Sequence, residues 1–148
     1  IPSYGPEMRG GTAHCFVILS DKQIGSPVVR YPKTGIVFNN PSFEKYETQV
    51  AKGGLLAVNA SLVNKPCTRD DLRVLYVPAT EIADELGNLR LANVVMLGAG
   101  LAANPVLPLE VLQPALDEHI PARRRNLLEA NYQALERGAA FVEGKVLA

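Results

Sequence analysis

Thr34-Gly35-Ile36-Val37-Phe38-Asn39-Asn40-Pro41, followed by Leu55-Leu56-Ala57-Val58, decides the fold class. The first apolar run is short and continuous and reads as a buried strand, and Leu55 to Val58 reads as a further strand. Between them, Asn40 is a plausible N-cap with Pro41 at the first helical position. Phe43, Tyr46 and Val50 then share one helical face, and Gly53-Gly54 stops the helix. Strand, helix and strand in this order predict a layered α/β unit.

Working outward, Ile1 to Gly11 reads as a loop rich in Gly and Pro, and Thr12 to Leu19 as a strand buried on both faces. Ser20-Asp21-Lys22 supplies a turn, and Gln23-Ile24 is expected to pair back as a short strand. Leu72 to Val77 gives a further strand after the polar loop Asn64 to Asp71. Thr80 then looks like the N-cap of a helix that carries Glu81 and Asp84 in its first turn and closes at Gly87. Arg90 to Asn104 is apolar nearly all round, which predicts a central buried helix. Pro108 to His119 is helical but carries Pro114, which is expected to kink or divide it. Pro121 to Arg137 is the last clear helix, closed by Gly138, with a loosely held tail from Ala139 to Ala148. The expected fold is one α/β domain over residues 1–148, a layered α/β/α arrangement with a mixed, mostly buried sheet and a helical C-terminal half.

Composition narrows the function. Fifteen basic residues balance fifteen acidic ones, so the chain has no general attraction for a nucleic-acid backbone or an anionic membrane. Arg123-Arg124-Arg125 is the nearest thing to a charge run and reads as a solvated face. The apolar stretch from Leu91 to Ala103 falls short of the roughly 20 residues a membrane span needs. Cys15 and Cys67 are too few for an iron–sulfur cluster, and His14 and His119 show no metal-ligand spacing. Free thiols in a cytoplasmic protein are the simpler reading. The chain opens on Ile1-Pro2 and not on Met, which fits a fragment or a preceding segment.

No complete catalytic set stands out. His14 and Cys15 are neighbours on a strand and point to opposite faces, which reads as a core histidine and a buried thiol. No serine sits in a nucleophile elbow, and no Asp/Glu pair stands out as an acid/base couple. Asn93 lies inside the apolar helix and Asn131 between Leu128 and Leu135; each amide needs backbone partners or faces a subunit or ligand. The strongest local signal is Tyr4-Gly5-Pro6-Glu7-Met8-Arg9-Gly10-Gly11-Thr12. Its glycines allow close backbone approach, and the Arg9 fork suits carboxylate or phosphate. It matches neither a P-loop nor a dinucleotide fingerprint. Taken alone, such a loop is also compatible with a plain surface turn.

The string from Ser3 to Thr12, followed by Ile18-Leu19-Ser20-Asp21 and Ile24-Gly25-Ser26-Pro27, resembles the gamma subunit of 2-oxoacid:ferredoxin oxidoreductases. The same unit is an internal domain of the one-chain pyruvate enzymes. The likeness continues through Lys52-Gly53-Gly54-Leu55-Leu56, Val77-Pro78-Ala79-Thr80-Glu81-Ile82-Ala83, Leu86-Gly87-Asn88, Ala92-Asn93, Leu97-Gly98-Ala99 and the stretch from Asn131 to Gly138. The Val77 to Ala83 stretch is more similar to the 2-oxoglutarate and branched-chain types than to the pyruvate type. The family's opening strand, glycine-rich turn and helix have no counterpart before Ile1, so the sheet is expected to lack a strand.

The resemblance implies a subunit of an enzyme that oxidatively decarboxylates a 2-oxoacid with coenzyme A and passes electrons to ferredoxin. Thiamine diphosphate and 4Fe-4S clusters are expected in the whole complex, held by thiamine diphosphate-binding and ferredoxin-type subunits, with none bound by this chain alone. Arg9, Gly10 and Gly11 are then expected at the coenzyme A region or a subunit contact, and Tyr4, Met8, Asn93 and Asn131 at an interface. The alternatives are a structural adaptor with no active-site contact and a free-standing small-molecule binding domain.

Overall fold

The computed structural model describes residues 2–4 and 12–147, with side chains described over 12–145. Three parallel strands run side by side in chain order: β3 (Thr34–Val37), β4 (Leu55–Asn59) and β5 (Arg73–Val77). Thr34 pairs with Leu55 and Leu55 with Arg73, so the three strands start almost level. Every residue of β4 is buried because helices cover both faces. An antiparallel ribbon of β1 (Pro2–Tyr4) and β2 (Ala13–Cys15) forms a separate two-stranded sheet.

Alternation along the strands divides the core in two. Val37, Leu56 and Val58 point to one side, where Phe43 of α1 (Asn40–Glu47), Val50 and Val63 meet them. Ala57 and Val77 point to the other side, against α2 (Ala79–Glu85), α3 (Ala92–Ala103) and α5 (Leu128–Leu147). The α/β fold with a helical C-terminal half is therefore the one expected from the sequence, with α1 on one face of the sheet and the C-terminal helices on the other.

Several boundaries differ from expectation, each for a physical reason. The N-cap of α1 is Asn39, whose side chain accepts from the Ser42 N–H at 3.0 Å. Asn40 instead joins the Asn64 side chain at 3.1 Å and accepts from the Asn64 N–H at 3.3 Å. Helix α1 ends before Gly53-Gly54; Gly53 takes φ +75° in the turn leading to β4. The cap position of α2 is Pro78, and Thr80 lies inside the helix. Gly87, at φ +81°, closes that helix as expected, giving its N–H to the Asp84 carbonyl at 2.8 Å.

The stretch from Thr12 to Leu19 is not a doubly buried strand. Only Ala13–Cys15 pairs, and Val17 and Leu19 are 78% and 56% exposed. The stretch lies outside both core clusters, and only one of its faces is partly covered. His14, Phe16 and Ile18 are half-buried, with the His14 ring near those of Phe16 and Tyr46, while the alternate residues face outward. Gln23-Ile24 forms no strand.

At the other end, α4 (Leu109–His119) runs through Pro114 without dividing. A 3-10 turn over Ala122–Leu127 precedes α5. Gly138 does not close the last helix; α5 continues to Leu147, and Ala139 and Val142 lie in the core. Gly138 is needed for close approach, because a Cβ there would meet the Val95 carbonyl oxygen at 2.0 Å.

Candidate functional site

In open parallel sheets, the loops beyond the carboxyl ends of the strands are where ligands usually meet the protein. Here β4 ends at Asn59, 1% exposed. Its side-chain amide donates to the Thr80 hydroxyl at 2.9 Å, and its side-chain oxygen accepts from the Ser61 N–H at 3.3 Å. The Ser61 hydroxyl in turn accepts from the Glu81 N–H at 3.3 Å. These bonds tie the loop after β4 to the first turn of α2. They satisfy one another, so the cluster braces the carboxyl end and presents no free nucleophile or base.

A second polar network lies behind α1. The buried Glu47 carboxylate accepts from the Thr68 N–H at 2.5 Å and the Thr68 hydroxyl at 3.0 Å. Burial pulls this carboxyl upward. The hydrogen bonds from Thr68, Cys67 and Arg69 outweigh that pull and hold it below the ordinary carboxylate range. The Cys67 thiol is pushed up by burial and by its hydrogen bond to Glu47, which keeps it protonated and unreactive. Arg69 donates to the Glu47 and Val50 carbonyls at 2.9 and 2.7 Å and forks onto Asp71 at 2.8 and 2.6 Å. This network fastens the end of α1 to the loop before β5. No signal in the sequence pointed to it, because its members lie about twenty residues apart.

Of the residues singled out in the sequence, Met8, Arg9, Gly10 and Gly11 lie outside the described residues. Tyr4 is placed by its backbone, opposite Ala13 in the ribbon. His14 carries its ring 5.4 Å from the Tyr46 ring and 5.2 Å from that of Phe16. Cys15 is exposed, contrary to the buried thiol expected, because it falls on the open face of the ribbon. Both cysteines are free. Asn93 is exposed on α3, not buried, with its side-chain oxygen accepting from the Val94 N–H at 2.8 Å. Asn131 is half-buried and donates to the Leu127 carbonyl at 2.7 Å, the backbone partner expected of it. The described structure does not bring Asn93 and Asn131 into one site.

Among the described residues, no group of three or more His, Cys, Asp or Glu side chains is placed to hold a metal ion. No described helix is long and apolar enough to cross a membrane.

Residues 1–141 match the family described as pyruvate ferredoxin/flavodoxin oxidoreductase. The chain belongs to this family. Among oxidoreductase relatives, it is 35% identical over 139 residues to ketoisovalerate oxidoreductase subunit VorA of Methanothermobacter marburgensis, covering 93% of this chain and 29% of that protein. It therefore spans about a third of the length of the ketoisovalerate relatives it matches. With 2-oxoglutarate synthase subunit KorC of Methanocaldococcus jannaschii it shares 32% identity, covering 85% of this chain and 70% of that one. In three dimensions it resembles the keto/oxoacid ferredoxin oxidoreductase gamma subunit of Geobacter sulfurreducens. The TM-score is 0.78 at 25% identity, over 97% of this chain and 79% of that one. The oxidoreductase family thus carries the same layered fold.

Proposed function

We propose that this chain is the gamma-type domain of a cytoplasmic 2-oxoacid:ferredoxin oxidoreductase, and that it shapes the active-site and coenzyme A region while holding no redox centre itself. The match of residues 1–141 to the oxidoreductase family carries this reading. The chemistry of the side chains supports it. Two cysteines are fewer than the four thiolates an iron–sulfur cluster usually takes, and we assign the clusters to ferredoxin-type partner subunits. Thiamine diphosphate, which stabilises the carbanion left when CO2 departs, belongs to another subunit as well.

The surface supports a role in assembly. Val17, Val28 and Tyr31 are 78%, 76% and 59% exposed, and we assign these apolar side chains to contacts with partner subunits. Asn93 and Leu97, four residues apart on α3, are exposed on a helix that is otherwise mostly buried, and we place them at a subunit contact. We assign Tyr4, Met8 and Asn131 to interfaces and Arg9, Gly10 and Gly11 to the coenzyme A region or a subunit contact.

The substrate we assign is 2-oxoglutarate. The 35% identity to a ketoisovalerate subunit favours a branched-chain 2-oxoacid as the second reading. The test is purification of the native assembly with 2-oxoacid-dependent ferredoxin reduction assayed across a substrate panel. Co-purification with activity on one of these acids is expected. A chain that runs alone while the activity sits elsewhere would overturn the reading. Within the active assembly, Arg9→Ala is expected to weaken assembly or raise the apparent KM for coenzyme A. If neither moves, Arg9 has no such role.

A further inference from the structure

The starts of the three parallel strands bring together side chains that are far apart in sequence. Lys33 immediately precedes β3, Lys52 precedes the Gly53-Gly54 turn into β4, and Arg73 opens β5. With Asn104 at the end of α3 they line a concavity of about 350 Å³ at the opposite end of the strands from Asn59. We propose that this rim binds a phosphate-class oxyanion, either free phosphate or the phosphoryl group of a larger ligand.

Charge carries the argument. None of these three cations forms an ion pair among the described residues. Asp71, whose charge Lys52 also feels, is already held by both arms of the Arg69 fork. The chain is neutral overall, so the cluster is not a by-product of a basic surface. Arg73 donates to the Ala103 carbonyl at 3.2 Å, which offsets the negative pole where α3 ends. Lys33 and Lys52 remain, two positive charges facing one hollow, a match for a dianion.

The frame is preorganised. The Leu55 N–H donates to the Lys33 carbonyl, the Ala51 N–H to the Pro32 carbonyl and the Arg73 N–H to the Gly54 carbonyl, each at 2.9 Å. These bonds fix the three cationic residues' backbones relative to one another. Gly54 keeps the floor bare; a Cβ there would fall 2.6 Å from the Lys33 carbonyl oxygen. The Gly53 and Gly54 N–H groups are committed to the Asp71 and Ala51 carbonyls at 2.8 Å, so side-chain cations must make the contacts.

Equilibrium dialysis of the full-length native protein with labelled inorganic phosphate, and separately with labelled methyl phosphate, tests this. At constant ionic strength, wild type is expected to bind one more saturable equivalent per chain than Lys33→Gln/Lys52→Gln. Loss of that equivalent for both probes indicates that a phosphoryl group suffices; loss for inorganic phosphate alone indicates the free ion. Lys33→Arg/Lys52→Arg is expected to restore binding, which separates charge from folding because all these side chains are exposed. Equal binding by wild type and the glutamine variant, or binding that simply follows ionic strength, overturns the proposal.

Discussion

Gly98 and Leu135 meet backbone to backbone where α3 crosses α5: a Cβ on Gly98 would sit 2.1 Å from the Leu135 carbonyl oxygen. Gly138 repeats the relation against Val95 from the other helix. These two glycines let the helices approach closely enough to bury Val95, Met96, Ala99, Ala134 and Leu135 together.

Gly138→Ala is therefore expected to destabilise, although alanine is the better helix former. Pushing the helices apart costs about 1–3 kcal/mol, the usual scale of overpacking. Gly144, on the same helix with open space around it, is the control. Gly144→Ala is expected to stabilise by about 0.5–1 kcal/mol. Urea denaturation of both variants checks the pair, and equal effects would refute close approach as the reason for Gly138.

Glu47 predicts a pH dependence with a definite sign. Its folded-state pKa lies below the ordinary value, so its stabilising contribution is present above the unfolded carboxylate pKa. That contribution is lost as pH falls through the lower folded value. Wild type is expected to exceed Glu47→Gln in stability at about pH 7, with the gap closing toward about pH 3. Paired denaturation curves across this range measure it. A gap that widens on acidification would reverse the sign.

Asn59→Ala is expected to cost about 1–3 kcal/mol, because it leaves the Ser61 N–H and the Thr80 hydroxyl without their partner beneath the carboxyl end of β4. The exposed Asn64, also hydrogen-bonded to another asparagine, gives the comparison. Asn64→Ala is expected to stay within about 0.5 kcal/mol. Thermal unfolding of the two variants distinguishes a buried brace from a surface bond.

Arg69→Lys is expected to lower the melting temperature. A single ammonium cannot reproduce the fork onto Asp71 while also reaching the Glu47 and Val50 carbonyls. Arg69→Lys combined with Asp71→Asn is expected to melt higher than the sum of the two single losses allows. Strict additivity would show that the pair does not act as a unit.

What the sequence reveals here follows from how local each cause is. The apolar run of β4 and the apolar α3 declare themselves, because burial leaves an unbroken hydrophobic signature. The β3 run, expected to be buried, leaves Ile36 and the adjoining Phe38 each 36% exposed. Two adjacent asparagines, Asn39 and Asn40, are equally good caps on paper; the choice depends on Asn64, which becomes a neighbour of Asn40 only after folding. Gly138 reads as a stop signal, because the helix that requires it lies about forty residues earlier. Phe16 to Leu19 looks like core, yet Phe16 and Ile18 are only half-buried and Val17 and Leu19 face outward. As for the site, the Tyr4 to Thr12 string is legible through its family pattern. The Glu47–Arg69 network and the Lys33–Lys52–Arg73 rim arise from tertiary proximity that no local pattern encodes.

Helix α4 has no fully buried residue, and Pro114 offers no N–H to the Glu110 carbonyl one turn back. Its grip on the core is through the partly buried Leu109 and Leu112 and the Tyr132 hydroxyl, which donates to the Gln113 carbonyl at 3.2 Å. Such a helix can open while the α3–α5 pair stays shut. Its amides should exchange with solvent before those of α3 and α5, and a protease should nick this helix before any strand of the parallel sheet loosens.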